Sequence, residues 1–165
     1  MYKFKNAFDY LQSFEAVLEN AEECKDPRPP YSRRFTCITK YKINVINGRR
    51  LISGNTIITA PTPFQNFSAR TFAIDKSGRR EVKMQISQVS CRNIVAMAIL
   101  KFINVSFTTK PCMLQRGNFR YENLDLNKIM HAVPGWHAPG NLQHQLQLVV
   151  DGVTEFCTDI FFKIK

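Results

Sequence analysis

The stretch "SARTFAIDKSGRREVKMQIS", residues 68–87, limits the possible folds more than any other part of the chain. Phe72 and Ile74 alternate with Thr71 and Ala73 on its first arm. Val82, Met84 and Ile86 alternate with Glu81, Lys83 and Gln85 on its second. A period of two belongs to a strand, and Asp75-Lys76-Ser77-Gly78 between the arms supplies a turn with a glycine free to take positive φ. The segment predicts a β-hairpin.

Elsewhere the period varies. Residues 6–20 place Ala7, Phe8, Leu11, Phe14, Val17 and Leu18 on one stripe of 3.6-residue spacing, with Asn6 as a cap, which predicts a helix. The connector "AEECKDPRPPYSRR" follows, and its prolines end that helix. "FTCITKYKINV" from Phe35 and "NTIITA" predict strands, separated by a turn at 47–50. Residues 91–105 return to helical spacing through Ile94, Val95, Ala98, Ile99, Phe102 and Ile103. "MLQRGNFRYENLDL" reads as a loop or short strand, and "LQHQLQLVVDGVTEFC" as a strand with a turn or bulge at Asp151-Gly152.

This order of helix, strands, hairpin, helix and strands predicts an α+β fold: a small mixed or antiparallel sheet packed by two helices, followed by an extended linker strand segment. The expected divisions are residues 1–30 (helix and Pro-rich connector), 31–110 (an α+β module) and 111–165 (a linker-like segment). A chain of 165 residues that is 44% hydrophobic, with 13 Phe, has enough apolar mass for a core. The last apolar segment runs up to "KIK", which suggests a piece cut from a longer chain.

Lys and Arg outnumber Asp and Glu by 23 to 13, a formal net charge of +10. Such a surplus favours polyanions. Arg33-Arg34, Arg49-Arg50, Arg79-Arg80 and the pair Arg116/Arg120 fall in expected turns, loops or strand ends, where arginines contact phosphate. Phe119 and Tyr121 interleave with the last pair and offer stacking. No apolar run approaches the ~20 residues of a spanning helix, so no membrane partner is expected.

Reactive chemistry has little support. His131, His137 and His144 are six and seven residues apart, wider than the roughly two to five of compact zinc motifs, so no metal is expected. The chain has no nucleophile-elbow, zincin or phosphate-loop pattern, so no enzyme and no cofactor are expected either. The residues after Met1 carry charges where a secretory leader would be apolar. The five scattered cysteines then read as free thiols in a reducing compartment, the cytoplasm, with the nucleus as the alternative. In such a compartment the sequons at Asn66 and Asn104 have no consequence. Gly135-Trp136 reads as a structural anchor, because a lone tryptophan has a large area to bury.

Three stretches together resemble the N-terminal region of Argonaute/Piwi proteins, the N domain and first linker. They are "INGRRLISGNTIITAPTPF", "ARTFAIDKSGRREVKMQIS" and the series "NIVAMAILKFINVSF", "MLQRGNFRYEN", "VPGWHAPGNLQHQLQLVVDGVTEFC". The resemblance covers roughly residues 41–157 and departs from the family's pattern at Asn47, in "QRGNFRY" and at Gly152. It implies a non-catalytic RNA-silencing module that contacts the backbone of a small RNA or RNA duplex. It also implies the PAZ and PIWI domains of a longer chain as partners. The other reading is a protein-interaction or viral structural module whose basic surface is incidental or packs a genome.

Overall fold

A computed structural model of the chain describes residues 14–32, 37–132 and 138–165. About 60% of the described residues lie in strands and 11% in helices. The elements are β1 (Ala16–Glu23), β2 (Cys37–Ile46), β3 (Arg49–Ile58), β4 (Thr62–Pro63), β5 (Phe67–Ile74), β6 (Arg80–Val89), α1 (Ile94–Phe102), β7 (Phe107–Thr109), β8 (Cys112–Leu114), β9 (Gly117–Leu124), α2 (Leu126–Ala132), β10 (Gly140–Val150) and β11 (Val153–Ile164). They form a five-stranded sheet in the order β1-β11-β10-β5-β6 and two three-stranded sheets, β2-β3-β9 and β4-β8-β7. All named pairings are antiparallel.

Three hairpins follow from local turn chemistry. Asn47-Gly48 joins β2 to β3, with φ of 51° and 75°. Asp151-Gly152 joins β10 to β11, with φ of 50° and 77°. Positive φ at both central residues matches the twist of paired strands, and Asn, Asp and Gly accept it most easily. The expected hairpin of residues 68–87 is β5–β6. Its turn is organised by Asp75, whose Oδ1 accepts from Ser77 N at 2.8 Å, Ser77 Oγ at 2.6 Å and Arg79 N at 2.9 Å. The expected helix of residues 91–105 is α1, capped by the Asn93 side chain accepting from Val95 N and Ala96 N.

The α+β expectation is overturned: the architecture is mainly β, and among the described residues no sheet is packed by two long helices. The physical reason lies in residues 16–20 of the helix expected at 6–20. They form β1 instead, paired with the last strand through Ala16↔Ile164 and Leu18↔Phe162. Reciprocal backbone bonds between Glu15 and Lys165 extend the ladder. Ala16 and Leu18 are buried, so a distant partner overrides local helix propensity. Residues 6–13 of that expected helix lie outside the described residues. In the segment read as a linker, residues 111–165, the described residues supply β8 to β11 and the short helix α2.

Among the described residues the core has two clusters. In one, Ile52 and Tyr121 of the β2-β3-β9 sheet meet Leu142, Phe162 and Ile164 of the five-stranded sheet. In the other, Ile58, Leu148 and Val150 pack with Ala96 and Leu100 of α1 and Leu114 of β8. Ile103, just past α1, touches both. The two larger sheets therefore face each other across one apolar layer, with α1 inserted at one end.

The expectation of free thiols is overturned for four of the five cysteines. Cys24 is bonded to Cys157, and Cys91 to Cys112. The cysteines look scattered because each bridge joins segments that only the fold brings together: β1's end to β11, and the start of α1 to β8.

Candidate functional site: an apolar cavity between the sheets

Strand alternation sends every second side chain of the facing sheets inward. From β10 these are His144, Leu146 and Leu148; from β11, Phe156, Thr158, Ile160 and Phe162; from β5, Phe67, Ala69 and Thr71. Tyr41, Ile52, Thr56, Ile58 and Tyr121 come from the opposite sheet. Val95, Ile99 and Phe102 of α1 and Leu126, Ile129 and Met130 of α2 complete the lining. Ile52 and Tyr121 meet Phe162, and the Tyr41 hydroxyl reaches Thr158, but beside these contacts the side chains line a partly open cavity of about 220 Å³. Phe102 lines it and is also 39% exposed, which places its rim at α1.

Among the described residues, the wall contains no Lys, Arg, Asp or Glu. Its few polar groups are largely engaged with one another. Thr71 Oγ1 and His144 Nδ1 are 2.9 Å apart, and the Tyr41 hydroxyl hydrogen-bonds Thr158 Oγ1. The His144 ring meets Phe162 edge-on at 5.3 Å. Burial, with a smaller contribution from Tyr41, pushes the Tyr121 hydroxyl well above the usual tyrosine range, so it stays neutral. A wall of this kind gains nothing from an ion and favours apolar matter.

The arginines singled out from the sequence are dispersed. Arg33 and Arg34 lie outside the described residues. Arg49 is 3.6 Å from Asp125 Oδ2, and Arg50 donates to the Glu19 carbonyl at 2.7 Å. Arg79 belongs to the β5–β6 turn, and Arg80 lies 5.4 Å over the Phe72 ring while donating to Gln143 at 3.3 Å. Arg116 is exposed just before β9. Arg120 is exposed on the outer face of β9, in one row with Asn55 and Lys40, and Lys42 is nearby.

Phe119 and Tyr121 do not stack beside these arginines. Alternation turns them inward, Phe119 onto the core and Tyr121 to 7% exposure. Gly135 and Trp136, the expected anchor, lie outside the described residues, as does His137. His131 stacks on Phe14 at 4.1 Å, and His144 belongs to the cavity wall.

Sequence reasoning did not find the cavity. The available signal was the alternation of Leu142, His144, Leu146 and Leu148 against Gln143, Gln145 and Gln147, but that pattern marks an inner face whether or not the space beyond it is filled. No protein-family model matches the sequence, and no curated protein matches it.

Proposed function

We propose that this protein binds an uncharged or single-headed apolar small molecule between its two larger sheets, without catalysis. The observation that supports this is a wall without Lys, Arg, Asp or Glu around about 220 Å³. An apolar cavity of about 150 Å³ already stays dry and takes up benzene. A larger one admits a branched hydrocarbon or part of an acyl chain, with any polar head held at the Phe102 rim or against the Thr71–His144 pair. The two disulfides fit an oxidising compartment better than the cytoplasm, so the binder is proposed to work there.

Titration with an environment-sensitive apolar dye, followed by displacement with fatty acids, fatty alcohols and sterols, tests this reading. One saturable site per chain is expected, with a negative heat-capacity change on binding. Folded, disulfide-bonded protein that binds none of these ligands would exclude it.

A second reading rests on Lys40, Lys42 and Arg120, which share the outer face of the β2-β3-β9 sheet. That row suits the phosphates of a small-RNA duplex, the role that the resemblance to the Argonaute/Piwi N domain implies. A salt titration with a short RNA duplex separates the two readings. Affinity that falls steeply with salt, and is lost in a Lys40→Glu/Arg120→Glu variant, supports phosphate contact. Absence of binding at low salt removes it.

A further inference from the structure

We propose that Asn66 and Asn104 are acceptors for N-linked glycans, so that the chain is a substrate of the secretory pathway's oligosaccharide transfer. Both stand in the acceptor pattern, as Asn66-Phe67-Ser68 and Asn104-Val105-Ser106. Taken alone, that pattern says little. Two independent features of the fold give it weight.

The first is placement. Asn66 is exposed, immediately before the first residue of β5. Asn104 is exposed two residues past α1, with φ of 59° in the turn that leaves the helix. In each case the middle residue is buried, Phe67 at 6% and Val105 at 5% exposure, so the backbone is anchored while the amide projects outward. Neither asparagine lines the cavity, and a glycan on either leaves the core untouched. Asn104 Nδ2 donates to the Arg120 carbonyl at 3.3 Å; a glycosylated amide keeps one N–H, so that bond is compatible with the modification.

The second is the pair of disulfides, Cys24–Cys157 and Cys91–Cys112. Stable structural bridges belong to the oxidising compartments in which N-glycans are also attached. The sequons and the bridges therefore point to one environment by separate chemistry.

The donor is an oligosaccharide carried on a lipid pyrophosphate. The asparagine Nδ2 attacks the anomeric carbon, a C–N bond forms, and the C–O bond to the pyrophosphate breaks. The amide gives up one proton and the lipid pyrophosphate departs, with no oxidation or reduction. A glycan on Asn104 stands beside Arg120, so it also sets this inference against the phosphate-contact reading.

The test is expression of the full chain behind a secretory leader in eukaryotic cells, with electrophoresis and intact mass before and after peptide-N-glycosidase. Two mobility steps are expected, both removed by the enzyme, with conversion of Asn66 and Asn104 to Asp. Ser68→Ala and Ser106→Ala should each remove one step, and Asn66→Gln and Asn104→Gln should reproduce them. A disulfide-bonded secreted chain whose mass the enzyme leaves unchanged overturns the proposal, as does a chain that remains reduced in that compartment. A single step overturns it for the asparagine whose variants have no effect.

Discussion

Gly54 and Tyr121 lie opposite each other across the β3–β9 pair, and the tyrosine ring fills the space that a side chain at position 54 would need. A Cβ there would stand 2.2 Å from the Tyr121 hydroxyl oxygen and 2.3 Å from Cζ. Glycine is thus required by close approach, not by its backbone angles. Because Tyr121 is buried and forms part of the cavity wall, it has little room to yield except inward. Gly54→Ala is expected to cost about 1–3 kcal/mol of stability, as overpacking does. It should also weaken apolar ligand binding roughly tenfold, about 1.4 kcal/mol. Urea denaturation and dye titration measure the two effects. In the double variant Gly54→Ala/Tyr121→Leu much of both losses should return, since the coupling is between these two side chains.

The two disulfides are expected to differ in what they contribute. Cys24–Cys157 closes a sequence separation of 133 residues and Cys91–Cys112 one of 21. In the chain-entropy view the longer closure restricts the unfolded chain more, about 5 kcal/mol against about 3 kcal/mol. Paired Cys→Ser variants, compared by guanidinium denaturation, should rank in that order. The Cys24→Ser/Cys157→Ser variant should also expose β1, an edge strand whose end this bridge ties to β11, to faster amide exchange. In the unreduced protein these four cysteines should resist alkylation until reductant is added.

Much of the β architecture was legible because it is local. Asp75 to Gly78 carry the information for a hairpin within a few residues, and so does Asn47-Gly48. The helix of residues 91–105 was legible for the same reason. Residues 16–20 misled because Ala, Leu and Glu are good helix formers, while their actual partner, β11, lies more than 130 residues away in sequence. Phe119 and Tyr121 misled because proximity to Arg116 and Arg120 in sequence takes no account of alternation, which sends aromatics and arginines to opposite faces of β9. The cavity was illegible for a different reason: periodicity shows which face turns inward, but not whether the inner side chains reach one another.

The β5–β6 turn should respond to acid. Hydrogen bonds from the Ser77 hydroxyl, and then from the Arg79 amide, hold the Asp75 carboxyl below the usual aspartate range. A carboxylate whose folded value is depressed stabilises the fold above its unfolded value, near 3.8, and that contribution disappears as pH falls through the lower, folded value. The protection of the Ser77 and Arg79 amides, taken relative to their intrinsic exchange rate at each pH, should therefore be higher at neutral pH and fall below about pH 4. Asp75→Ala should show low protection at every pH. Asp75→Asn retains an acceptor oxygen and should lose most of the pH dependence.

An apolar void of about 220 Å³ is costly to leave empty. At about 24 cal/mol per Å³, the value for closed cavities, it forgoes at most about 5 kcal/mol relative to a filled core. A ligand that occupies it should therefore stabilise the fold visibly. At a hundred times its Kd the gain is about 2.7 kcal/mol. For a chain of this size that corresponds to a Tm higher by roughly 5–11 °C. Filling the space from the protein side should act in the opposite sense on binding. Ala69 lines the cavity on β5, and Ala69→Leu adds methylenes to the void. This change should stabilise the ligand-free protein by up to about 2 kcal/mol through added burial and so raise its Tm, while shrinking the ligand-induced shift by more than half. Differential scanning calorimetry with and without a fatty alcohol measures both quantities. A variant that is destabilised, in a protein whose Tm no apolar ligand moves, would mean that the facing walls close on each other in solution and that this layer serves only as core.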